Sequence, residues 1–233
     1  MTERRDFLRL MGSAGAAALA ACGWDGGATL RPGLLAVSRF NDWVGERILY
    51  SPARLARTYG AAARSPALPS YFISQTMPVL AHPADWRLRV DGLVRQPLTL
   101  SLEDLMGMPV VSYTVKHTCV EGWSAIATWQ GVPVTAVMER CAPLASARYI
   151  NFQSFDSGYA NGWDLASATH PQTILAYGLN DNPLPAAHGA PLRLYSPTKL
   201  GYKLTKYLLA MTFTNTRPGG YWEDQGYPWL AGL

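Results

Sequence analysis

The residues most able to do chemistry sit together in Val115-Lys116-His117-Thr118-Cys119-Val120-Glu121-Gly122-Trp123-Ser124. A thiol stands there between an apolar alternating run and a small turn of aromatic and polar residues. A thiolate so placed can attack as a nucleophile, form half of a disulfide, or ligate a soft transition metal. As a nucleophile Cys119 would need a histidine aimed by a third group. His117, two residues away on the same strand face, seldom gives that approach. As half of a disulfide it would pair with Cys141, the other cysteine beyond Cys22. As a ligand it would need a metal whose other bonds come from elsewhere. His82, His117, His170 and His188 are scattered and form no close ligand pair.

A second group follows: Ala187-His188-Gly189-Ala190-Pro191-Leu192-Arg193-Leu194, then Gly201-Tyr202-Lys203-Leu204-Thr205-Lys206. Arg193, Lys203 and Lys206 on backbone bent by glycine and proline suit an anion carrying a phosphate. Arginine offers a planar fork, lysine a point charge, and turn N–H groups complete a cradle. The plainer alternative makes Arg193 and Lys203 solvated strand residues. The chain has no G-x-S-x-G elbow, P-loop, H-E-x-x-H or C-x-x-C-H, and the last absence excludes an attached c-type haem.

The elements that must position these groups are mostly strands. Residues 86–90 alternate apolar and charged, with Asp91-Gly92 as a turn. Residues 98–100 extend, and Ser101 caps a short helix whose first turn is acidic. Residues 110–115 alternate toward Cys119, placing it just past a strand end. Residues 129–133 are expected to turn into a helix over 134–140, with Pro133 at its start. Residues 149–152, 173–177, 191–195 and 207–214 read as strands, and the aromatic tail 220–227 as a cover over the body. Many glycines and prolines supply the turns. The expected fold class is α+β, a mixed domain with a mostly β core.

The front of the chain carries Arg4-Arg5-Asp6-Phe7-Leu8 and then a short Ala/Gly/Leu run. This reads as a twin-arginine export signal, too short to span a bilayer as a helix of roughly 20 residues. Leu19-Ala20-Ala21-Cys22 resembles a lipobox, which predicts a lipidated Cys22 tethering the protein to a membrane face. Plain cleavage near the same point is the alternative. The expected organisation is a signal at 1–21, an N-terminal arm at 22–68 and a catalytic domain at 69–233. Twin-arginine cargo is exported folded, often with its cofactor inserted where thiols stay reduced, which favours ligation by Cys119 over a disulfide. A net charge of +4 spread along the chain, without basic blocks, argues against nucleic-acid binding.

A soft thiolate and a phosphate-sized basic cradle together imply a metal held partly by protein and partly by a phosphorylated organic ligand. On these blocks, with Val90-Asp91-Gly92-Leu93-Val94 and Pro97-Leu98 before them, the chain resembles the sulfite oxidase family of molybdopterin enzymes. It is most similar to the short, exported, haem-free bacterial members, the branch of the periplasmic methionine sulfoxide reductases. The resemblance covers residues 71–214 and implies the molybdopterin-binding fold of that family. It makes Cys119 the thiolate on molybdenum and gives the molybdenum–molybdopterin cofactor to Phe72, Ile73, Ser154, His188, Arg193, Leu204, Thr205 and Lys206. Glu121 and Tyr159 would stand beside the metal, relaying protons or bonding substrate.

The departures from the family pattern bear on the substrate. Sulfite oxidisers carry arginines where this chain has Ser74 and Trp123-Ser124-Ala125. Losing both removes the forks that would hold a dianion. The reductase branch has an asparagine where this chain has Ser70. The expected reaction is therefore reduction of an S- or N-oxide, with sulfite-like oxidation as the second choice. A lipid-anchored binding protein of the same fold without metal is the third. Electrons would come from a membrane haem- or quinone-linked partner. The family's C-terminal dimerisation domain is not recognisable, which predicts a monomer or a complex with that partner.

Overall fold

The computed structural model describes residues 27–45, 51, 53–80, 82–156 and 158–232. The readings of an export signal and a lipid anchor fall at 1–22, outside these residues. The chain divides into two compact units, Met1–Trp43 and Val44–Leu233. The described part of the first is helix α1 (Gly27–Val44). Its Leu34, Val37, Phe40 and Trp43 recur every third residue and are exposed. The Phe40 and Trp43 rings stack with centroids 6.0 Å apart.

The second unit holds two five-stranded sheets with few and short helices. In the first sheet, β1 (Leu88–Gly92) buries Leu88 and Val90 and exposes Arg89, as its alternation requires. It pairs antiparallel with β2 (Leu98–Leu100) and parallel with β10 (Leu208–Thr214). Strand β10 continues the sheet through β5 (Tyr149–Ser154) to β6 (Ala160–Asp164), and the order is β2-β1-β10-β5-β6. Gly92 ends β1 at φ +83°, where a Cβ would lie 2.2 Å from the Phe213 carbonyl oxygen, so only glycine fits. Helix α2 (Leu102–Met106) opens with the expected Ser101 cap. Ser101 Oγ accepts the Asp104 N–H, and the Asp104 carboxylate accepts the Ser101 N–H in return.

The second sheet is built on the hairpin of β3 (Val111–Thr118) and β4 (Ser124–Pro133), paired from Val111↔Gly131 to Thr118↔Ser124. Residues 129–133, expected as a turn, instead continue β4 against β7 (Ile174–Leu179). The short strands β8 (Asn182–Pro183) and β9 (Arg193–Tyr195) share the other edge of β7. Gly131 is required there, because a Cβ would stand 2.1 Å from the Leu175 carbonyl oxygen. Helix α3 (Val134–Cys141) then starts straight after Pro133, as expected. One short helix, α4 (Leu165–Ala168), is capped by Asp164.

Residues 53–68 run as turns and extended chain along the second sheet, interrupted by one 3-10 turn at Ala61–Ala63. Tyr59 donates to the Thr114 carbonyl at 2.9 Å and Ser65 to the Ile126 carbonyl at 2.8 Å. One continuous apolar core, including Trp129, Trp163, Phe152, Phe213, Leu88 and Ile174, joins the two sheets. A mixed, mostly β domain is the observed class.

Candidate molybdopterin site

Cys119 is the first residue of the turn that closes the β3–β4 hairpin. Its N–H donates to the Trp123 carbonyl at 3.0 Å and its carbonyl accepts the Gly122 N–H at 3.2 Å. Gly122, at φ +90°, supplies the left-handed residue this closure needs. The turn holds Cys119 Sγ 3.7 Å from Glu121 Oε2, which also accepts the Trp123 indole N–H at 2.9 Å. Burial, with the Glu121 carboxylate adding to it, raises the thiol pKa, although the Glu121 and Val120 N–H groups oppose the shift. A thiol so placed is a poor nucleophile but a competent ligand, since a bound metal cation drives off its proton.

The other two readings of Cys119 lose their footing here. Cys119 and Cys141 are both free, and Cys141 is buried in α3. His117 packs its ring against Trp123, Trp129 and Tyr195. Burial first, then Arg193 and His188, pushes its pKa down to about 3, so it stays neutral. Cys119 Sγ bonds Glu121, and among the described residues no histidine hydrogen-bonds it.

Cys119 opens onto a cavity of about 420 Å³. Phe72, Ile73, Glu121, Ser154, Tyr159, His188, Arg193, Leu204 and Lys206 line it too, so the site residues expected from sequence converge, with two exceptions. Thr205 does not reach the cavity. Its buried hydroxyl instead donates to Asn161 Oδ1 at 2.9 Å. Lys203, expected in the cradle, is also turned away. It is 1% exposed and ion-paired with Glu223, with the Gly162 carbonyl 2.8 Å from its Nζ.

The buried end of the cavity is cationic. Arg193, on β9 and 5% exposed, donates to the His188 carbonyl at 2.9 Å and the Leu204 carbonyl at 3.2 Å. Its guanidinium lies 4.8 Å from the Trp129 ring centroid. Burial lowers its pKa to about 10. Lys206 donates to the Ala187 carbonyl at 3.0 Å and Ser70 Oγ at 3.2 Å, and its pKa falls to about 7, chiefly through burial and then through Arg193. Gly189, at φ +106°, permits this packing, since a Cβ there would stand 2.7 Å from Lys206 Cβ. His188 is held neutral, near pKa 4, by burial and by the charges of Arg193 and Lys206. Asp156 faces this group and pins the front loop by accepting the Ser74 hydroxyl and, at 3.3 Å, the Ile73 N–H.

Three buried polar atoms around the cavity, Arg193 Nε, Tyr207 Oη and His117 Nδ1, have no hydrogen-bond partner among the described residues. Buried donors left so cost roughly 1–3 kcal/mol each. Glu121 and Asp156 are the two carboxylates of the lining, but Arg193 and Lys206 stand together at the buried end, and with the unsatisfied donors they fit an anionic phosphorylated ligand that carries a metal toward the thiol. No group of three or more His, Cys, Asp or Glu gathers into a metal site among the described residues, so the thiol is the protein ligand on offer.

Sequence reasoning missed part of the lining. Tyr221, Trp222 and Tyr227 of the tail form a wall of the cavity, with Tyr202 and Tyr207 beside them. Their aromatic density was the available signal.

The fold and this site define a molybdopterin-dependent oxidoreductase. Residues 74–222 match the oxidoreductase molybdopterin binding domain family, and the chain belongs to it. Its cofactor is accordingly the molybdenum cofactor. A protein of Azospira oryzae named provisionally as protein-methionine-sulfoxide reductase subunit YedZ1 is 39% identical over all of this chain and 88% of its own length. The protein-methionine-sulfoxide reductase catalytic subunit MsrP of Ralstonia nicotianae is 36% identical over 60% of this chain. The match spans about half, 47%, of that relative. The sulfane dehydrogenase SoxCD of Paracoccus pantotrophus shares the fold, with a TM-score of 0.57 at 20% identity over 60% of this chain and 41% of that one.

Proposed function

We propose that the protein reduces neutral S-oxides at a molybdenum cofactor ligated by Cys119. The observation that carries this reading is the division of the cavity. Its cations, Arg193 and Lys206, lie at the buried end, where the cofactor's phosphate belongs. Apart from Glu121, the walls beside the thiol are aromatic and apolar: Tyr71 is 59% exposed, Val120 44%, and the Trp123 ring packs on Tyr71 with centroids 6.4 Å apart. Ser74, where sulfite oxidisers hold a substrate arginine, is instead bonded to Asp156. Among the described residues, the cations of the lining are Arg193 and Lys206 at the buried end, so a dianion at the thiol lacks a counter-charge of its own, whereas a neutral sulfoxide needs none.

When bound, the molybdenum cofactor supplies two-electron oxygen-atom exchange. The chain's residues do the rest. Cys119 Sγ anchors the metal, and Arg193, Lys206, His188, Ser154, Leu204, Phe72 and Ile73 hold the pterin and its phosphate. Reducing a sulfoxide to a sulfide takes two electrons and two protons and releases water. Glu121 Oε2, fixed by the Trp123 indole, is placed to hold one of those protons. Tyr159 donates its hydroxyl to the Tyr202 carbonyl, which holds its ring in the cavity wall. The aromatic rim limits water around the reacting sulfur.

Electrons come from a separate donor, a reading supported by the relatives being named as subunits. Export by the twin-arginine route and lipidation of Cys22 would place the protein beside a membrane-bound, haem- or quinone-linked donor. The support is the sequence at Arg4-Arg5 and Leu19-Ala20-Ala21-Cys22. No helix among the described residues is long and apolar enough to cross a membrane.

The test is steady-state turnover of the cofactor-loaded protein with a reduced dye as donor. Methionine sulfoxide and dimethyl sulfoxide should both oxidise the dye. Glu121→Gln should lower kcat roughly a hundredfold while retaining molybdenum. Sulfite oxidation without any S-oxide turnover would overturn the assignment.

A further inference from the structure

The tail 220–227 forms a closed aromatic circuit with the body. Tyr159 packs on Tyr221 with centroids 5.7 Å apart, Tyr221 on Trp222 at 5.2 Å, Trp222 on Tyr227 at 5.1 Å and Tyr227 on Tyr202 at 5.3 Å. The Tyr159 hydroxyl closes the circuit on the Tyr202 carbonyl. The Tyr202 hydroxyl is tied to the Pro228 carbonyl at 2.6 Å. Two of the phenols thus spend their protons on backbone oxygens, and the rings remain as an apolar surface. All five rings line the cavity onto which Cys119 opens.

This wall is locked from behind by a buried charge. The Glu223 side chain is 3% exposed, and its carboxylate pairs with Lys203. It also accepts from Asn161 Nδ2 at 3.2 Å, and Asn161 Oδ1 in turn accepts the Thr205 hydroxyl. Gly219 and Gly220 make room: a Cβ on Gly220 would stand 2.3 Å from Glu223 Oε2, and one on Gly219 2.4 Å from Asp224 Oδ1. The Tyr221 N–H donates to the Ala160 carbonyl at 3.0 Å, setting the segment against the edge strand β6. Such a pair, buried with its hydrogen bonds filled, fixes one conformation more than it adds stability. The family match ends at Trp222, so Glu223 and Tyr227 lie just beyond the matched residues while their partners lie within them.

We propose that this aromatic circuit is the specificity wall that receives the carbon substituents of the sulfoxide, and that Glu223 is the positioning residue that holds it. The proposal rests on the S-oxide reading for the reacting group. With the sulfoxide oxygen directed at the metal, the substituents on sulfur must lie along a wall of the same cavity. Aromatic faces and edges bind thioether-like and aryl groups through dispersion, quadrupole and sulfur–ring contacts. The wall therefore favours S-oxides with large apolar or aryl substituents over small ones.

The experiment is equilibrium binding of methyl phenyl sulfoxide and of dimethyl sulfoxide to the molybdenum-loaded protein by calorimetry, beside turnover of each. The native protein should bind the aryl compound more tightly. Trp222→Ala should shrink that preference roughly tenfold, with molybdenum content unchanged. Glu223→Ala should reproduce the loss by releasing the wall, and Glu223→Gln, which keeps an acceptor for Lys203, should recover part of it. Equal affinity of the native protein for both ligands, or a preference untouched in Trp222→Ala, would overturn the proposal. Binding with the expected preference but without reduction would keep the wall and sink the S-oxide reaction instead. Reduction with no effect of Trp222→Ala on preference would do the reverse.

Discussion

At the buried end of the cavity Arg193 and Lys206 are held by backbone carbonyls; at the other end one half-buried thiol sits on the turn 119–123. Each cation is buried and placed by backbone oxygens of the segments packed around it, so the buried end is part of the core. The thiol is placed by a hairpin turn alone, and removing it leaves no buried donor unpaired. The first end joins binding to folding. The second is free to be tuned by chemistry at little cost to stability.

The sharpest test of that contrast is Cys119→Ala. It should abolish turnover and remove the thiolate ligand while shifting unfolding free energy by only about 0.5 kcal/mol, measured by urea titration of cofactor-free protein. Arg193→Ala should behave oppositely, because the His188 and Leu204 carbonyls lose their donor and the stacked Trp129 loses its cover. A destabilisation of about 3 kcal/mol is expected, together with failure to retain the cofactor. If the two variants proved equally stable, the contrast would be wrong.

A gentler probe uses Lys206, whose pKa is lowered from 10.5 to about 7 in the folded protein. Between those values the unfolded chain holds a proton that the folded chain has released. The contribution of Lys206 to stability therefore rises with pH across that window, and below about pH 7 the penalty of the buried charge is felt in full. Cofactor-free protein should gain denaturation midpoint from about pH 6.5 to about pH 9, and Lys206→Met should lose most of this slope. A bound phosphate restores the charged lysine and should flatten the slope in loaded protein. The smallest effect is expected from Ser74→Ala, which removes one of the bonds pinning the front loop to Asp156. About 0.5–1 kcal/mol of stability and a modest rise in KM with kcat preserved should follow.

Much of this architecture was legible in the sequence, and the gaps have physical causes. The Ser101 cap, the alternation into Cys119 and the helix after Pro133 are local patterns, and each appears where expected. Strand β4 was obscured because both its faces are largely buried, so its residues do not alternate, and because Gly131 reads as a turn. Strand β6, with Asn161 and Gly162 in its middle, was hidden in the same way. Within the second motif, Arg193 and Lys206 point into the cavity while Lys203 and Thr205 point away. The residue types could not reveal this, because Lys203 is claimed by Glu223, twenty positions downstream, and Thr205 by Asn161. The tail read as an aromatic cover, but its place in the cavity wall depends on that same long-range pairing.

The central position of β10 has a kinetic consequence. In the sheet β2-β1-β10-β5-β6, both outer pairs meet only through residues 208–214. Until that stretch leaves the ribosome, the β1–β2 and β5–β6 pairs are two separate ribbons with open edges, unable to nucleate the sheet. The parallel register of Arg89 with Ala210 closes a loop of more than a hundred residues. Assembly of this domain is therefore a late, nearly all-or-none event. A nascent or truncated chain ending before Leu208 should be open to proteases and prone to self-association, however much of the site it already contains.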